Sequence, residues 1–474
     1  MDPSSTSDQH VSWGGPQQMS AWDAIMWRAE GDPRTTSTGI LVELLDSEPD
    51  WTRFMAAHRR AVARIPRLGE RVVEPPLPIV QPAWSTDSHF DLSHHVRRVY
   101  LGGSATDKEL LELCENLLTE PLDRRRPPWS ATLVGGMANG RAAYVFKCHH
   151  SLTDGMGLVQ LLGLTHGHTT DPAEGPATGD PAVRPAVTPA QLLVRSVANG
   201  AAHSPSVALS AVGSARRVLS DPRSRAGSAL AYGRSLMRVF GAMPPRSPLL
   251  AGSGRENRLL ILDLALEDLR DAGRAAGGSV NDAYVAAVLG GLRFYHERYG
   301  VQVDRIPIAM PVSLRSSDDP GGGNRFTGVR LSAPVSESDP AARIRMIGEL
   351  VRDVRKEPAI TCLDTVSKAL SRLPNAAIIE LTARATAVAD LQISNIPGLR
   401  RPTYLAGARV VGTYVFGPRP GVAAMVTMMT HEGHCFIGLN VDAQAFPRIE
   451  ILGECLESGF REVLDLGQRA EADQ

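Results

Sequence analysis

The run YVFKCHHSLTDGMGLVQLL, Tyr144 to Leu162, brings a thiol, two imidazoles, two hydroxyls and a carboxylate together between Cys148 and Asp154. The apolar residues before it predict a strand, and MGLVQLLGL after it predicts a helix, with Asp154 and Gly155 in the tight turn between them. Consecutive side chains on a strand point to opposite faces, so His149 and His150 cannot both face one cavity while the strand lasts. One is expected to do chemistry and the other to support it. A histidine at a strand end, fixed by its neighbours, titrates near neutrality and suits a general base that takes a proton from an alcohol or amine.

Other chemistries compete for the same residues. Ser151 follows the pair directly, but no Gly-x-Ser-x-Gly elbow surrounds it, which makes a serine hydrolase a weak reading. Cys148, His149, His150 and Asp154 are all metal-ligating types, yet adjacent residues rarely chelate one ion. THEGHC, Thr430 to Cys435, offers a similar set, but its Glu-Gly centre between strand-like runs predicts a hairpin turn. An isolated histidine pair can also be purely structural.

These residues must be held by a large fold. A chain of 474 residues exceeds one ordinary core, and its 43% hydrophobic and 21% charged composition is that of a folded globular protein. The formal charge of -1 supplies no global field for nucleic acid, so charged partners must be met locally. Five scattered cysteines without a CxxC pair fit a reducing cytosol. No signal-peptide core or membrane-length apolar run is present, which leads us to expect a cytoplasmic protein with peripheral contact to a membrane face or lipid body left open.

Along the chain, helical patterns such as WTRFMAAHRRAVARIP and ATDKELLELCENLLTEPL alternate with strand-like GILVELL, SATLVGGM and AAYVFKC, predicting a mixed α/β lobe over 19–168. Residues 169–252 read as a linker followed by an arginine-rich connector, in which Arg216, Arg217, Arg234 and Arg238 sit among Leu, Val and Met. That connector is either a solvated link or an amphipathic segment for anionic lipid. A second α/β lobe is expected over 253–474, starting at RLLILDLAL and continuing through the helix VNDAYVAAVLGGLRFYHERY and the strands RIPIAMPVSL and DLQISNIP.

HHSLTDG matches the HHxxxDG signature of the superfamily that includes chloramphenicol acetyltransferase and nonribosomal condensation domains. With VNDAYVAAVLGGLR, MPVSLR, GGNRF, ISNIPG, YLAGARV and FGPRPG, in order from about Met19 to Leu464, the chain resembles the bacterial wax ester synthase/diacylglycerol acyltransferase family. The resemblance implies an α/β (α+β) fold of two chloramphenicol-acetyltransferase-like lobes with a tunnel at their interface. It implies transfer of an acyl group from acyl-CoA to diacylglycerol or a long-chain alcohol, with no metal and no cofactor beyond acyl-CoA as co-substrate. His150 would be the general base, His149 its support, and Asp154 and Gly155 would keep the local geometry. Asn281 and Asp282 match the family's Asn-Asp motif; Asn281 is the candidate oxyanion donor, while Ser279 followed by Asp282 equally fits a helix N-cap box. Ser394 and Asn395, in the SNIPG loop, would line the tunnel.

The sequence departs from the family pattern where Pro128 and Ser130 flank Trp129, and where His431 stands at a position commonly occupied by tyrosine. Both departures bear on the acceptor. An acyltransferase of the same fold acting on a specialised metabolite, glycolipid or amine is therefore a second reading, and a noncatalytic lipid-binding member is a third, against which the intact HHSLTDG argues.

Overall fold

Asp50 accepts a hydrogen bond from the backbone N–H of Arg53, and Thr106 and Glu109 form a reciprocal capping box, so helices start at Trp51 and Asp107. The computed structural model describes residues 13–77, 80–170, 185–194, 243–251, 256–313, 322–324, 326–356 and 363–472. The first part of the chain forms α1 (Ala21–Ala29), β1 (Thr38–Leu45), α2 (Trp51–Arg64), β2 (Glu70–Val73), β3 (Ala83–Thr86), β4 (Val96–Tyr100), α3 (Asp107–Thr119), β5 (Trp129–Gly135), β6 (Ala142–His149) and α4 (Gly155–Thr165). The remainder forms β7 (Asn257–Ala265), α5 (Leu266–Ala275), α6 (Val280–Arg298), β8 (Arg305–Ser313), β9 (Phe326–Pro334), α7 (Pro340–Arg355), α8 (Leu363–Leu370) and α9 (Asn375–Thr386), then β10 (Leu391–Ile396), β11 (Tyr404–Leu405), β12 (Ala408–Phe416), β13 (Ala424–His431), β14 (His434–Asp442) and α10 (Ile449–Ala472).

Among the described residues the strands make two six-stranded mixed sheets, ordered β11-β12-β1-β6-β5-β4 and β7-β14-β13-β10-β8-β9, and a two-stranded one of β2 and β3. The first sheet is not built from the first half of the chain alone. β12 lies antiparallel to β1, with Val42 opposite Tyr414, so Tyr404–Phe416 crosses over from the 253–474 segment to complete it. Within YLAGARV a turn at Ala406 and Gly407, both at positive φ, folds β11 onto β12. The two sheets approach closely where the crossing strand meets β14: a Cβ on Gly438 would lie 2.5 Å from the Val415 carbonyl oxygen.

One core covers the α2 and α4 face of the first sheet and contains Phe54, Trp129, Tyr144, Phe146 and Leu162. The second lobe's core is built around α6, which is buried on nearly all sides from Ala283 to Leu292. This helix is pressed against α10 by the absence of side chains: a Cβ on Gly291 would lie 2.7 Å from the Leu456 Cα, and one on Gly459 would lie 2.1 Å from the Gly291 nitrogen. Backbone cannot yield there as a flexible side chain could. The arginine-rich stretch 195–242, with Arg216, Arg217, Arg234 and Arg238, lies outside the described residues.

Gly291→Ala should therefore lower stability by about 1–3 kcal/mol, the usual cost of overpacking a dense contact. Denaturant unfolding of the purified variant checks this. A midpoint and slope equal to wild type would mean that α6 and α10 have room to spare.

Candidate functional site

The antiparallel pairing of β6 with β1 places His149 opposite Thr38, and the next backbone N–H, that of His150, donates to the Ser37 carbonyl at 2.8 Å. On its other side the His149 N–H donates to the Pro128 carbonyl at 3.0 Å. The strand is held from both sides to its last residue, and the two rings diverge as strand alternation requires.

His149 points into the protein and is 1% exposed. Its Nδ1 accepts the Ser151 backbone N–H at 3.0 Å and lies 2.7 Å from the Ser151 hydroxyl. The ring proton therefore sits on Nε2, which faces a Glu30 carboxylate oxygen 3.5 Å away, and the ring stands edge-on to Trp27 at 5.2 Å. Burial opposes ionisation of Glu30, but hydrogen bonds from His149, Thr38 and the Ser37 N–H outweigh it and hold this carboxyl below its ordinary range. Ser151 is itself only 2% exposed, so its hydroxyl is closed to a substrate.

His150 faces the second lobe and is half-buried. Its Nδ1 lies 2.9 Å from Asn324 Oδ1, and the Phe326 ring stands 5.4 Å from its own. The Asn324 amide cannot be turned around, because its Nδ2 donates to Asp23 Oδ1 at 2.5 Å and to the His150 carbonyl at 2.7 Å, two groups that only accept. Oδ1 is thus the acceptor, Nδ1 carries the ring proton, and Nε2 is left with a lone pair. Burial lowers the His150 pKa, while the Asp154 charge and the Asn324 hydrogen bond pull the other way.

Asp154 caps α4, its Oδ1 accepting the Gly157 N–H at 2.8 Å, and its own N–H donates to the Gly323 carbonyl at 3.3 Å. Gly155 makes room for the second lobe, since a Cβ there would lie 2.7 Å from the Ile396 Cδ1. The turn after the histidines is thus gripped by residues 322–324 on one side and the end of β10 on the other.

That brings the second lobe's candidates close. Asn395 Nδ2 donates to Asn281 Oδ1 at 3.4 Å, joining the end of β10 to the first turn of α6. Asp282 does the work of a helix cap: its carboxylate accepts the Ser279 N–H at 2.9 Å and the Ser279 hydroxyl at 2.7 Å, and its own N–H donates to Ser279 Oγ. Ser394 and Asn395 lie within the strand expected from DLQISNIP and not in the loop the family resemblance implied: β10 runs through Ile396 and pairs in parallel with β13, Ser394 opposite Thr427. The turn begins only at Pro397, where the missing N–H ends the ladder.

The THEGHC segment forms the expected hairpin, with His431 opposite His434 and positive φ at Glu432 and Gly433. His431 is buried, its Nε2 lies 3.0 Å from the Thr403 hydroxyl, and burial lowers its pKa. Among the described residues no group of three or more His, Cys, Asp or Glu side chains is gathered to hold a metal ion. An apolar cavity lies within the first lobe between α2, α4 and the sheet, walled by Leu68, Trp129, Phe146, Leu161 and Leu162, with His58 and Tyr144 at its polar end. Trp129, the anchor of the Pro128–Ser130 departure, is fixed by donating its Nε1–H to the Leu68 carbonyl at 2.7 Å.

Sequence reasoning did not single out Asn324, Asp23 or Glu30. Asn324 lay within the quoted GGNRF, and Asp23 and Glu30 lie on or beside α1, a short helix with no chemical motif of its own.

Comparison with known proteins places the fold. The wax ester synthase/diacylglycerol acyltransferase catalytic domain matches residues 19–284, and the C-terminal domain of the same family matches 322–463. A Mycobacterium tuberculosis protein named as a diacylglycerol O-acyltransferase is 40% identical over 452 residues, 94% of this chain and 91% of its own. A Mycobacterium bovis protein named for the same activity is 30% identical over 407 residues, 81% of this chain and 84% of its own. Among solved structures, the wax ester synthase/diacylglycerol acyltransferase of Marinobacter aquaeolei superposes with a TM-score of 0.63 at 20% identity, covering 95% of this chain and 100% of that one. The first condensation domain of the calcium-dependent antibiotic synthetase superposes with a TM-score of 0.61 at 15% identity, covering 96% and 97%, which shows the shared two-lobed fold. The chain belongs to the wax ester synthase/diacylglycerol acyltransferase family, and it is an acyltransferase.

Proposed function

We propose that this acyltransferase moves a long-chain acyl group from acyl-CoA to the hydroxyl of diacylglycerol, of a long-chain alcohol, or of both, with His150 as general base. The observation that carries the reading is the Asn324 contact, which holds the proton on Nδ1 and leaves Nε2 unprotonated. Nε2 takes the acceptor's hydroxyl proton as the oxygen attacks the thioester carbonyl. The tetrahedral oxyanion then collapses, the C–S bond breaks, and the imidazolium returns its proton to the departing CoA thiolate. In this reading Asn281, whose Oδ1 accepts from Asn395 Nδ2, is the oxyanion donor through its own amide N–H. No acyl-enzyme is needed.

The lining of the cavity in the first lobe is overwhelmingly apolar and suits an apolar guest, but at about 30 Å³ the space must widen before it could take an alkyl chain. Phe146, in its wall, is four residues before His150, roughly 13 Å along an extended strand. A tunnel between the lobes, with donor and acceptor entering from opposite ends, belongs to the same proposal. So does contact with a membrane or lipid-droplet surface, where such acceptors reside. Among the described residues no helix is long and apolar enough to cross a membrane. The reading assigns no work to a metal or an organic cofactor.

His150→Ala should remove nearly all acyl transfer, by about a hundredfold to ten-thousandfold, while the protein still unfolds cooperatively. Release of free CoA with long-chain acyl-CoA and diacylglycerol or a fatty alcohol measures it. Wild-type release from a folded His150→Ala protein would remove His150 from the mechanism.

The lowered His150 pKa sets the pH dependence. The base works only when neutral, so activity should persist as pH falls through 6.5, the ordinary histidine value, and disappear only at more acid pH. The acid limb of kcat/KM reports this. A limb centred above 6.5 would contradict a base whose burial dominates.

Dialysis against a strong chelator should leave turnover unchanged, because none of Cys148, His149, His150 and Asp154 is assigned an ion. Loss of activity that returned with stoichiometric zinc would overturn this.

A further inference from the structure

The base at the end of β6 is oriented by a residue that arrives from the other lobe. Asn324 precedes β9 in the second lobe, yet all three of its side-chain hydrogen bonds go to the first: His150 Nδ1 at 2.9 Å, the His150 carbonyl at 2.7 Å and Asp23 Oδ1 at 2.5 Å. Asp23 sits on α1 and is 6% exposed. The placement of Asn324 is reinforced by its neighbours: Thr153 and Gly323 form a parallel bridge, the Gly322 N–H donates to Gln160 Oε1 at 3.1 Å, and a Cβ on Gly322 would meet the Trp13 ring at 2.9 Å.

We propose that Asn324, and through it Asp23, are positioning residues for the acyl transfer, forming an Asp23–Asn324–His150 relay that fixes the histidine tautomer only when the two lobes are docked. The proposal rests on His150 being the base and adds what makes it one. The amide gives Asp23 a donor and His150 an acceptor at the same moment, so the buried carboxylate polarises the amide oxygen toward the imidazole. Asp23 never touches the substrate. It acts as a fixed dipole's anchor, favouring the imidazolium that forms as the acceptor loses its proton, without taking a proton across the neutral amide.

The charged and titratable groups around the relay are few. His150 is faced by Asp154 and His149 from its own segment, and Asp23 is faced by Arg67 and His149. Burial lifts Asp23 to about 6, against the hydrogen bonds from Asn324 and Ser20. Such a carboxylate is ionised at neutral pH and is protonated as the medium turns acid.

The relay makes predictions that a merely structural contact would not. Asn324→Ala should lower kcat by about 10- to 100-fold, in the range typical of an outer partner that orients a reactive histidine, with the KM for acyl-CoA changed less than about twofold. Asp23→Asn keeps an acceptor for the Asn324 amide but removes the charge. It should retain more activity than Asn324→Ala, and its acid limb of kcat/KM should move to lower pH, because the imidazolium loses a stabilising carboxylate. CoA release, pH profiles and thermal unfolding are measured on the full-length variants. Wild-type kcat in Asn324→Ala would overturn the relay. So would an activity loss matched by an equal loss of folded protein with the Asp23→Asn pH profile unmoved. If His150→Ala is inactive while Asn324→Ala is fully active, the relay fails and the base assignment stands.

Discussion

Two adjacent residues on a strand cannot share a face, and the site is arranged around that constraint. At the end of β6 one imidazole must go inward and the other outward. The inward ring, His149, is locked between Ser151 and Glu30 beneath Trp27. The outward ring, His150, emerges at the seam between the lobes, where Asn324 meets it. A buried histidine with both ring nitrogens committed cannot serve as a base, and an exposed one with neither committed has no fixed tautomer. The backbone bonds from Ser37 and Pro128 keep this division of labour by pairing the strand through its last residue.

The seam owes its stability to a chain that does not respect the order of its halves. β12 leaves the second lobe, completes the first sheet beside β1, and passes under β14 at Gly438. Separating the lobes would mean stripping a strand from a six-stranded sheet. Ile396 also lies over Gly155 and Gly323 pairs with Thr153, so the turn after the histidines is held by close packing and main-chain pairing rather than by exposed ion pairs, which contribute little.

Much of this could be read locally. The alternation before His149, the glycine after Asp154, the capping box at Ser279 and Asp282, and the hairpin at Glu432 and Gly433 are short-range patterns, and each appears where its residues required. What could not be read was long-range. Asn324 is separated from His150 by 174 positions and sits in a stretch with no periodicity, so nothing in its neighbourhood says which ring it meets. Tyr404–Phe416 is not read as strand from its residues, and nothing in its sequence says that it completes the first sheet beside β1. DLQISNIP, by contrast, reads as a strand with Pro397 and Gly398 closing it, and the parallel ladder to β13 runs through Ile396 as that pattern requires.

The cavity beside β6 shows how polar side chains can wall a greasy space without charging it. Tyr144 and His58 meet at 3.2 Å, and His58 Nδ1 lies 2.9 Å from the Phe54 carbonyl, so the ring proton goes to that carbonyl and Nε2 accepts the phenol. Burial pushes His58 down to about 4 and Tyr144 well above its ordinary value, so both stay neutral across the working range. Nearby, His166 and Glu43 satisfy one another at 2.7 Å with both side chains 2% exposed, and His431 meets Thr403. Each polar group is paired before any ligand arrives, which spares it the desolvation cost an unpaired group would impose on an apolar guest.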